Sequence, residues 1–93
     1  MTVYVDDWRQ PARVGRIGGY WSHLVATTDA ELHEFAASIG LRREWFQEFT
    51  KAGHLRRPHY DVTDAKRLQA IRAGAVAVSW RDLPQLRREG KVA

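Results

Sequence analysis

Hydrophobic and polar positions recur along this chain at two different periods, and the change of period divides it into strands and helices. Thr2-Val3-Tyr4-Val5 is a β-branched and aromatic run closed by Asp6-Asp7, which predicts a short strand with two carboxylates at its carboxyl end. Tyr20 to Ala26 alternates strictly, with Trp21, His23 and Val25 on one face and Tyr20, Ser22, Leu24 and Ala26 on the other, and predicts a second strand. Between them, Trp8 to Gly19 carries Pro11, Gly15, Gly18 and Gly19 among Arg9, Arg13 and Arg16, and predicts an irregular basic connection.

The period then lengthens. Thr28-Asp29-Ala30-Glu31 has the hydroxyl and the glutamate of a capping box, and Leu32, Phe35, Ala36 and Ile39 form one apolar stripe ending at Gly40, so a helix is expected there. Leu41 to Phe49 reads as a shorter helical segment with Leu41, Trp45 and Phe49 on one face, and Lys51 to Pro58 as a basic loop. Pro58 to Val62 predicts a third strand. Thr63 caps a helix running through Ala73 with Leu68 and Ile71 inward, Gly74 ends it, and Ala75 to Val78 suits a buried parallel strand. Residues 59 to 78 would then be a β-α-β unit, and a last helix from the Ser79 cap, with Pro84 in its first turn, runs to about Glu89. The expected architecture is a single α/β domain over residues 1–93, with a three-to-four-stranded sheet covered by three to four helices.

Composition narrows the function classes. Ninety-three residues with 44% hydrophobic content can build one core but not two domains. Zero cysteines exclude a disulfide scaffold, a thiolate metal site and a cysteine nucleophile, and fit a cytoplasmic protein. No apolar run approaches a membrane span and the N-terminus lacks the order of a secretory signal, so no membrane association is expected. The net charge of +4 is unevenly placed: residues 1–50 hold five Arg against seven Asp+Glu, residues 51–93 ten Lys+Arg against four Asp+Glu. A C-terminal basic face, including Arg87 and Arg88, is therefore either a solvated surface or an anion-binding one.

Ligands of open sheets gather at the carboxyl ends of parallel strands, which selects Asp6 and Asp7 after the first strand and His59, Tyr60 and Asp61 near the end of the third. If those two strands were parallel neighbours, Asp6, Asp61 and His59 could hold a divalent ion or serve as acid and base, with His23 contributing an imidazole. Carboxylates and imidazoles without thiolates suit Mg, Mn or Zn. Each residue also has a structural reading: Asp6, Asp7 and Asp61 as turn or cap residues, His23 and His33 as partly buried hydrogen-bonding groups, His54 as ordinary surface. The Arg13 to Gly19 segment could wrap a phosphate, and the loop residue Trp8 could stack on a base or contact a protein. No Walker, G-x-S-x-G or HExxH pattern occurs.

Tyr4-Val5-Asp6-Asp7, Ser22-His23-Leu24, Glu31-Leu32-His33, Trp45-Phe46-Gln47, His59-Tyr60-Asp61, Lys66-Arg67 and Gly74-Ala75 together resemble a bacterial and phage family, the domain of unknown function 4031, over residues 2 to 88. Arg9 to Tyr20 and Lys51 to Arg57 depart from its pattern. The family brings no settled activity, but the resemblance implies that its marker residues Asp6, Asp7, His23, His33, Gln47, His59, Asp61 and Arg67 share one polar site. Three functions compete. One is a phosphate-directed site, acting as a metal-assisted phosphohydrolase or binding a nucleotide, with Arg67 steering the anion. The second is a non-enzymatic nucleic-acid-binding module using the C-terminal Arg face. The third is a protein-interaction module or homo-oligomer using Trp8 or the Trp45-Phe46 pair.

Overall fold

A computed structural model describes residues 2–49, 53 and 55–93. The two strands expected first form at Val3–Val5 (β1) and Ile17–Ala26 (β3), but the segment between them is also a strand, Gln10–Val14 (β2). β2 pairs with β3 from Gln10↔Trp21 to Val14↔Ile17, so the expected irregular connection is a hairpin with Gly15-Arg16 as its two-residue turn. Gly15 takes φ +60°, the sign that a type II′ turn needs at its first central position.

β1 and β2 are one strand in two registers against β3. The pairing Val3↔Ala26 to Val5↔Leu24 continues to a 3.0 Å bond from the Asp6 N–H to the His23 carbonyl, then resumes at Gln10↔Trp21. From Asp6 to Gln10 the outer strand advances four residues while β3 advances two, from His23 to Trp21. The surplus is a bulge over Asp7 to Arg9, with Arg9 at φ +46°. It takes the Asp6 carbonyl out of the ladder, and Arg67 Nε donates to that carbonyl at 2.8 Å.

The helix at Asp29–Ser38 (α1) begins as expected: the Thr28 hydroxyl accepts the Glu31 N–H, and Leu32, Phe35, Ala36 and Ile39 face the core. The helix expected over residues 41 to 49 does not form. A 3-10 turn at Arg43–Trp45 is followed by a strand, Gln47–Phe49 (β4), paired with Leu55–Thr63 (β5). Long-range pairing overrides the local helical spacing. Phe46 turns onto the core while Trp45 stays 47% exposed, so the two aromatics do not form one surface. β5 also absorbs the described end of the expected basic loop. His54 lies outside the described residues.

Thr63 caps the helix Asp64–Arg72 (α2) by accepting the Lys66 N–H. Its inward stripe is Ala70 and Ile71 with Arg67 beside them, so Leu68, expected inward, is 52% exposed. Gly74, at φ +112°, turns the chain into Val76–Ala77 (β6), which pairs with β1 in parallel. The last helix is Leu83–Arg88 (α3), preceded by a 3-10 turn at Trp80–Asp82.

The mixed six-stranded sheet runs β4-β5-β3-β1-β6, with β2 beside β3, and exceeds the three or four strands expected. β5 and β6 are linked by α2 as a β-α-β crossover. β1 and β5 run in the same direction but are not neighbours, because the antiparallel β3 lies between them. One face packs Val3, Val5, Leu24, Tyr60 and Val62 against α1 and α2. On the other, Tyr4 and Val25 meet Leu83, Leu86 and Val92 from α3 and the C-terminal segment. Among the described residues no helix is long and apolar enough to cross a membrane.

Candidate functional site

The β3 insertion between β1 and β5 decides the site. Asp6, His23 and Asp61 become one cross-strand row, through the Asp6 N–H bond to His23 and the His23↔Asp61 pairing. His59 lies two residues back from Asp61 and so shares its face, the one that α3 covers only in part. One ligand atom from each of His23, His59 and Asp61 fits within 4.8 Å of the others.

Asp6 does not join that cluster; it stands behind His23. Its carboxylate is fully buried and accepts three hydrogen bonds, from the His23 N–H at 2.8 Å and the Trp8 N–H at 3.2 Å on Oδ1, and from His23 Nδ1 at 2.7 Å on Oδ2. The first of these replaces the ladder bond that the bulge removes. A carboxylate only accepts, so His23 carries a proton on Nδ1, and its neutral form presents Nε2 as a lone pair. His59 is fixed in the same sense, since its Nδ1 donates to the Arg57 carbonyl at 2.8 Å, and its Nε2 lies 3.3 Å from Asp61 Oδ1. Asp61 is held in turn by the Gln47 amide on Oδ2.

Three groups that can only accept in these states therefore converge, and their mutual repulsion falls when a cation enters between them, either a proton or a metal ion. Burial works to raise the Asp61 carboxyl pKa, but when His59 and His23 carry a second proton, hydrogen bonding and charge from His59, the Gln47 amide and the charge of His23 outweigh it, leaving the group below its ordinary value. A tetrahedral ion about 2.0–2.1 Å from each donor needs donors about 3.3 Å apart. The His59–Asp61 separation already meets this, and the His23 donor atom lies within 4.8 Å of both. Two imidazoles and one carboxylate favour Zn²⁺ or Mn²⁺ over Mg²⁺, which prefers oxygen donors and retained water. Each of the three candidate donors has an outer partner (Asp6, the Arg57 carbonyl, Gln47), the support that metal ligands require to hold tautomer and direction.

His23 and His59, with Asp6, line a recess of about 340 Å³, near the lower end for small-ligand sites; Asp61 is not among its lining residues. Trp8, lifted by the bulge, stacks on the His23 ring at 4.7 Å between centroids, and the edge of His59 meets His23 at 5.1 Å. Trp80, Arg57 and Arg87 complete the rim. Burial, then the neighbouring charge of Arg57, lowers the Arg87 pKa, with Asp6 opposing. Nothing in sequence spacing pointed to Trp80 or to the Arg57–Arg87 pair, which stand on β5 and α3 and line the same recess.

The remaining expected residues have separate places. Asp7 Oδ1 accepts the Trp80 N–H at 2.9 Å and so caps the 3-10 turn before α3. Arg67 braces the Asp6 carbonyl and does not line the recess. His33 lies on the opposite face of the sheet, where its Nδ1 is 2.8 Å from the Tyr60 hydroxyl and its ring meets Phe46 edge-on. Of the eight family markers, the structure gathers His23, His59 and Asp61, with Asp6 and Gln47 as their braces and Arg67 behind Asp6.

A family model described as "Protein of unknown function (DUF4031)" matches residues 3–90. The chain belongs to that family. No curated protein and no solved structure matches it.

Proposed function

We propose that this DUF4031 member binds a divalent metal ion through His23, His59 and Asp61 and uses it to engage a phosphate-containing ligand. The observation that carries the reading is the convergence of three braced donors of the right chemistry, two of which, His23 and His59, line an open recess. The ion would supply Lewis acidity toward a phosphoryl oxygen. The chain's own residues do the rest. Asp6 fixes the His23 tautomer, Gln47 and the Arg57 carbonyl hold the other two donors, and Arg57 and Arg87 attract the anion at the rim. Hydrolysis of a phosphoester is the activity that fits this arrangement, and simple ligand capture is the alternative in the same site.

Titration calorimetry with Zn²⁺ and Mn²⁺ tests it. One ion per chain is expected, and at 100-fold excess over Kd the bound ion contributes about 2.7 kcal/mol, which raises Tm by roughly 10–20 °C for a domain of this size. Asp61→Asn, nearly isosteric, should abolish the shift while leaving the circular dichroism spectrum intact. No shift with any ion across a divalent panel refutes the metal-centred reading.

A further inference from the structure

The recess above His23 does not end at its rim. A second recess adjoins it, lined by Arg57, Pro84, Arg87 and Arg88, and the two share Arg57, Pro84 and Arg87. Together they form one trough leading from the Asp/His cluster along α3. Among the described residues no carboxylate pairs with any of its three guanidiniums: Arg88 donates to Gln85, and Arg87 Nε donates to the Ala93 carbonyl at 3.4 Å. Three adjacent cations with no ion-paired carboxylate, partly offset by the charges of Asp6 on Arg87 and Glu89 on Arg88, exceed what one phosphate needs, and their repulsion is relieved by a chain of anions.

The other end of the trough is aromatic. Trp8 has one face against His23 and is nevertheless 41% exposed, so its second face is open to a flat partner. Trp80, 42% exposed, stands on the same rim with Arg81 over its ring. An aromatic platform beside a line of guanidiniums matches a strand whose bases stack while its phosphates follow the cations. A duplex hides its base faces, and a lone inorganic phosphate uses no platform.

We propose that the ligand class is single-stranded nucleic acid, an unpaired base stacking on the outer face of Trp8 while consecutive phosphates run along Arg57, Arg87 and Arg88. The placement deepens the metal-centred reading, since it sets one phosphate of the strand beside His23, His59 and Asp61, but its contacts do not depend on the ion.

The test is fluorescence anisotropy of a labelled oligothymidylate of about ten nucleotides, a length within the site sizes of single-strand-binding folds, run with chelator and with Zn²⁺. A duplex of equal length and thymidine monophosphate serve as competitors. Calorimetric Zn²⁺ binding is measured on the same preparation. The strand should outcompete both, and its affinity should fall with salt at a log–log slope of about −2, reduced by about 0.7 in each of Arg57→Ala, Arg87→Ala and Arg88→Ala. Trp8→Ala should weaken binding by roughly tenfold with the slope unchanged, and Trp8→Phe should restore most of it. Equal affinity for the duplex, competition by the mononucleotide as effective as that of the strand, or a silent Trp8→Ala overturns the proposal. Strand binding of this pattern without Zn²⁺ binding supports it and removes the metal-centred reading; Zn²⁺ binding without strand binding does the reverse.

Discussion

Replacing Asp6 with asparagine and with alanine separates two tasks of one carboxylate. Its Oδ1 accepts the N–H groups of His23 and Trp8, which anchor the bulge, and its Oδ2 accepts the His23 Nδ1–H, which sets the tautomer. Asparagine keeps the shape, and its carbonyl oxygen can retain both backbone bonds. Its NH₂ then faces His23 Nδ1, which must become an acceptor, so the ring proton moves to Nε2 and the lone pair aimed at the cluster is lost. Exchanging charge-assisted bonds of about 1.5–3 kcal/mol for neutral ones of about 0.5–1.5 kcal/mol costs Asp6→Asn about 1–2 kcal/mol. That corresponds to a Tm lower by roughly 5–15 °C. Zn²⁺ affinity should fall about 10–100-fold, the usual effect of losing a ligand's outer partner. Alanine leaves two backbone N–H groups and an imidazole N–H without acceptors at about 1–3 kcal/mol each. The sum approaches the whole stability of a small domain, so Asp6→Ala should be largely unfolded. Urea unfolding, Zn²⁺ calorimetry and the ¹⁵N shifts of the His23 ring read the three effects separately. An asparagine variant that binds Zn²⁺ as the wild type does, or an alanine variant less than about 1 kcal/mol destabilised, refutes the reasoning.

Two further outcomes follow from groups outside the recess. Burial, then the charge of Arg43, lowers the His33 pKa below its ordinary 6.5. The fold therefore favours neutral His33, a contribution fully present above pH 6.5 and lost as pH falls through the folded value. His33→Gln should flatten Tm against pH below 6.5, by no more than a few degrees because His33 is only partly buried; an unchanged slope contradicts this. Arg9 sits at φ +46° in an exposed two-bond pair with Asp64. Arg9→Ala and Arg9→Gly both lose that pair, worth about 0–1 kcal/mol, but only glycine relieves the backbone, so the glycine variant should be more stable than the alanine variant by about 1 kcal/mol in urea. Equal stability would show that the bulge carries no such strain.

The sequence was most readable where local chemistry decides the structure. Thr28 and Thr63 cap α1 and α2 with their hydroxyls, and the stripe of Leu32, Phe35, Ala36 and Ile39 is the buried face of α1. β2 was hidden because Gln10–Val14 is exposed throughout and shows no alternation, and is held by pairing with β3 and by Trp21 Nε1 donating to the Ala12 carbonyl. β4 was hidden because Leu41, Trp45 and Phe49 have helical spacing, and only β5 pairing favours the extended form. In the site, the residue types were legible but their roles were not. Asp6, His59 and Asp61 were selected by the strand-end rule with His23 as an assistant, whereas the geometry exchanges Asp6 and His23. That exchange comes from the position of β3 in the sheet order and from the two-residue register slip, both set by contacts between residues 11 or more apart in the chain.

The central claim is that His23, His59 and Asp61 are three ligands of one metal ion. A crystal structure of the wild-type protein grown with Zn²⁺, with anomalous data collected on either side of the zinc edge, tests it most directly. A single strong anomalous peak is expected about 2.0–2.2 Å from Nε2 of His23, Nε2 of His59 and a carboxylate oxygen of Asp61, with Asp6 still bonded to His23 Nδ1. Zinc bound only elsewhere on the surface, or a peak ligated by Asp6 in place of His23, would contradict it.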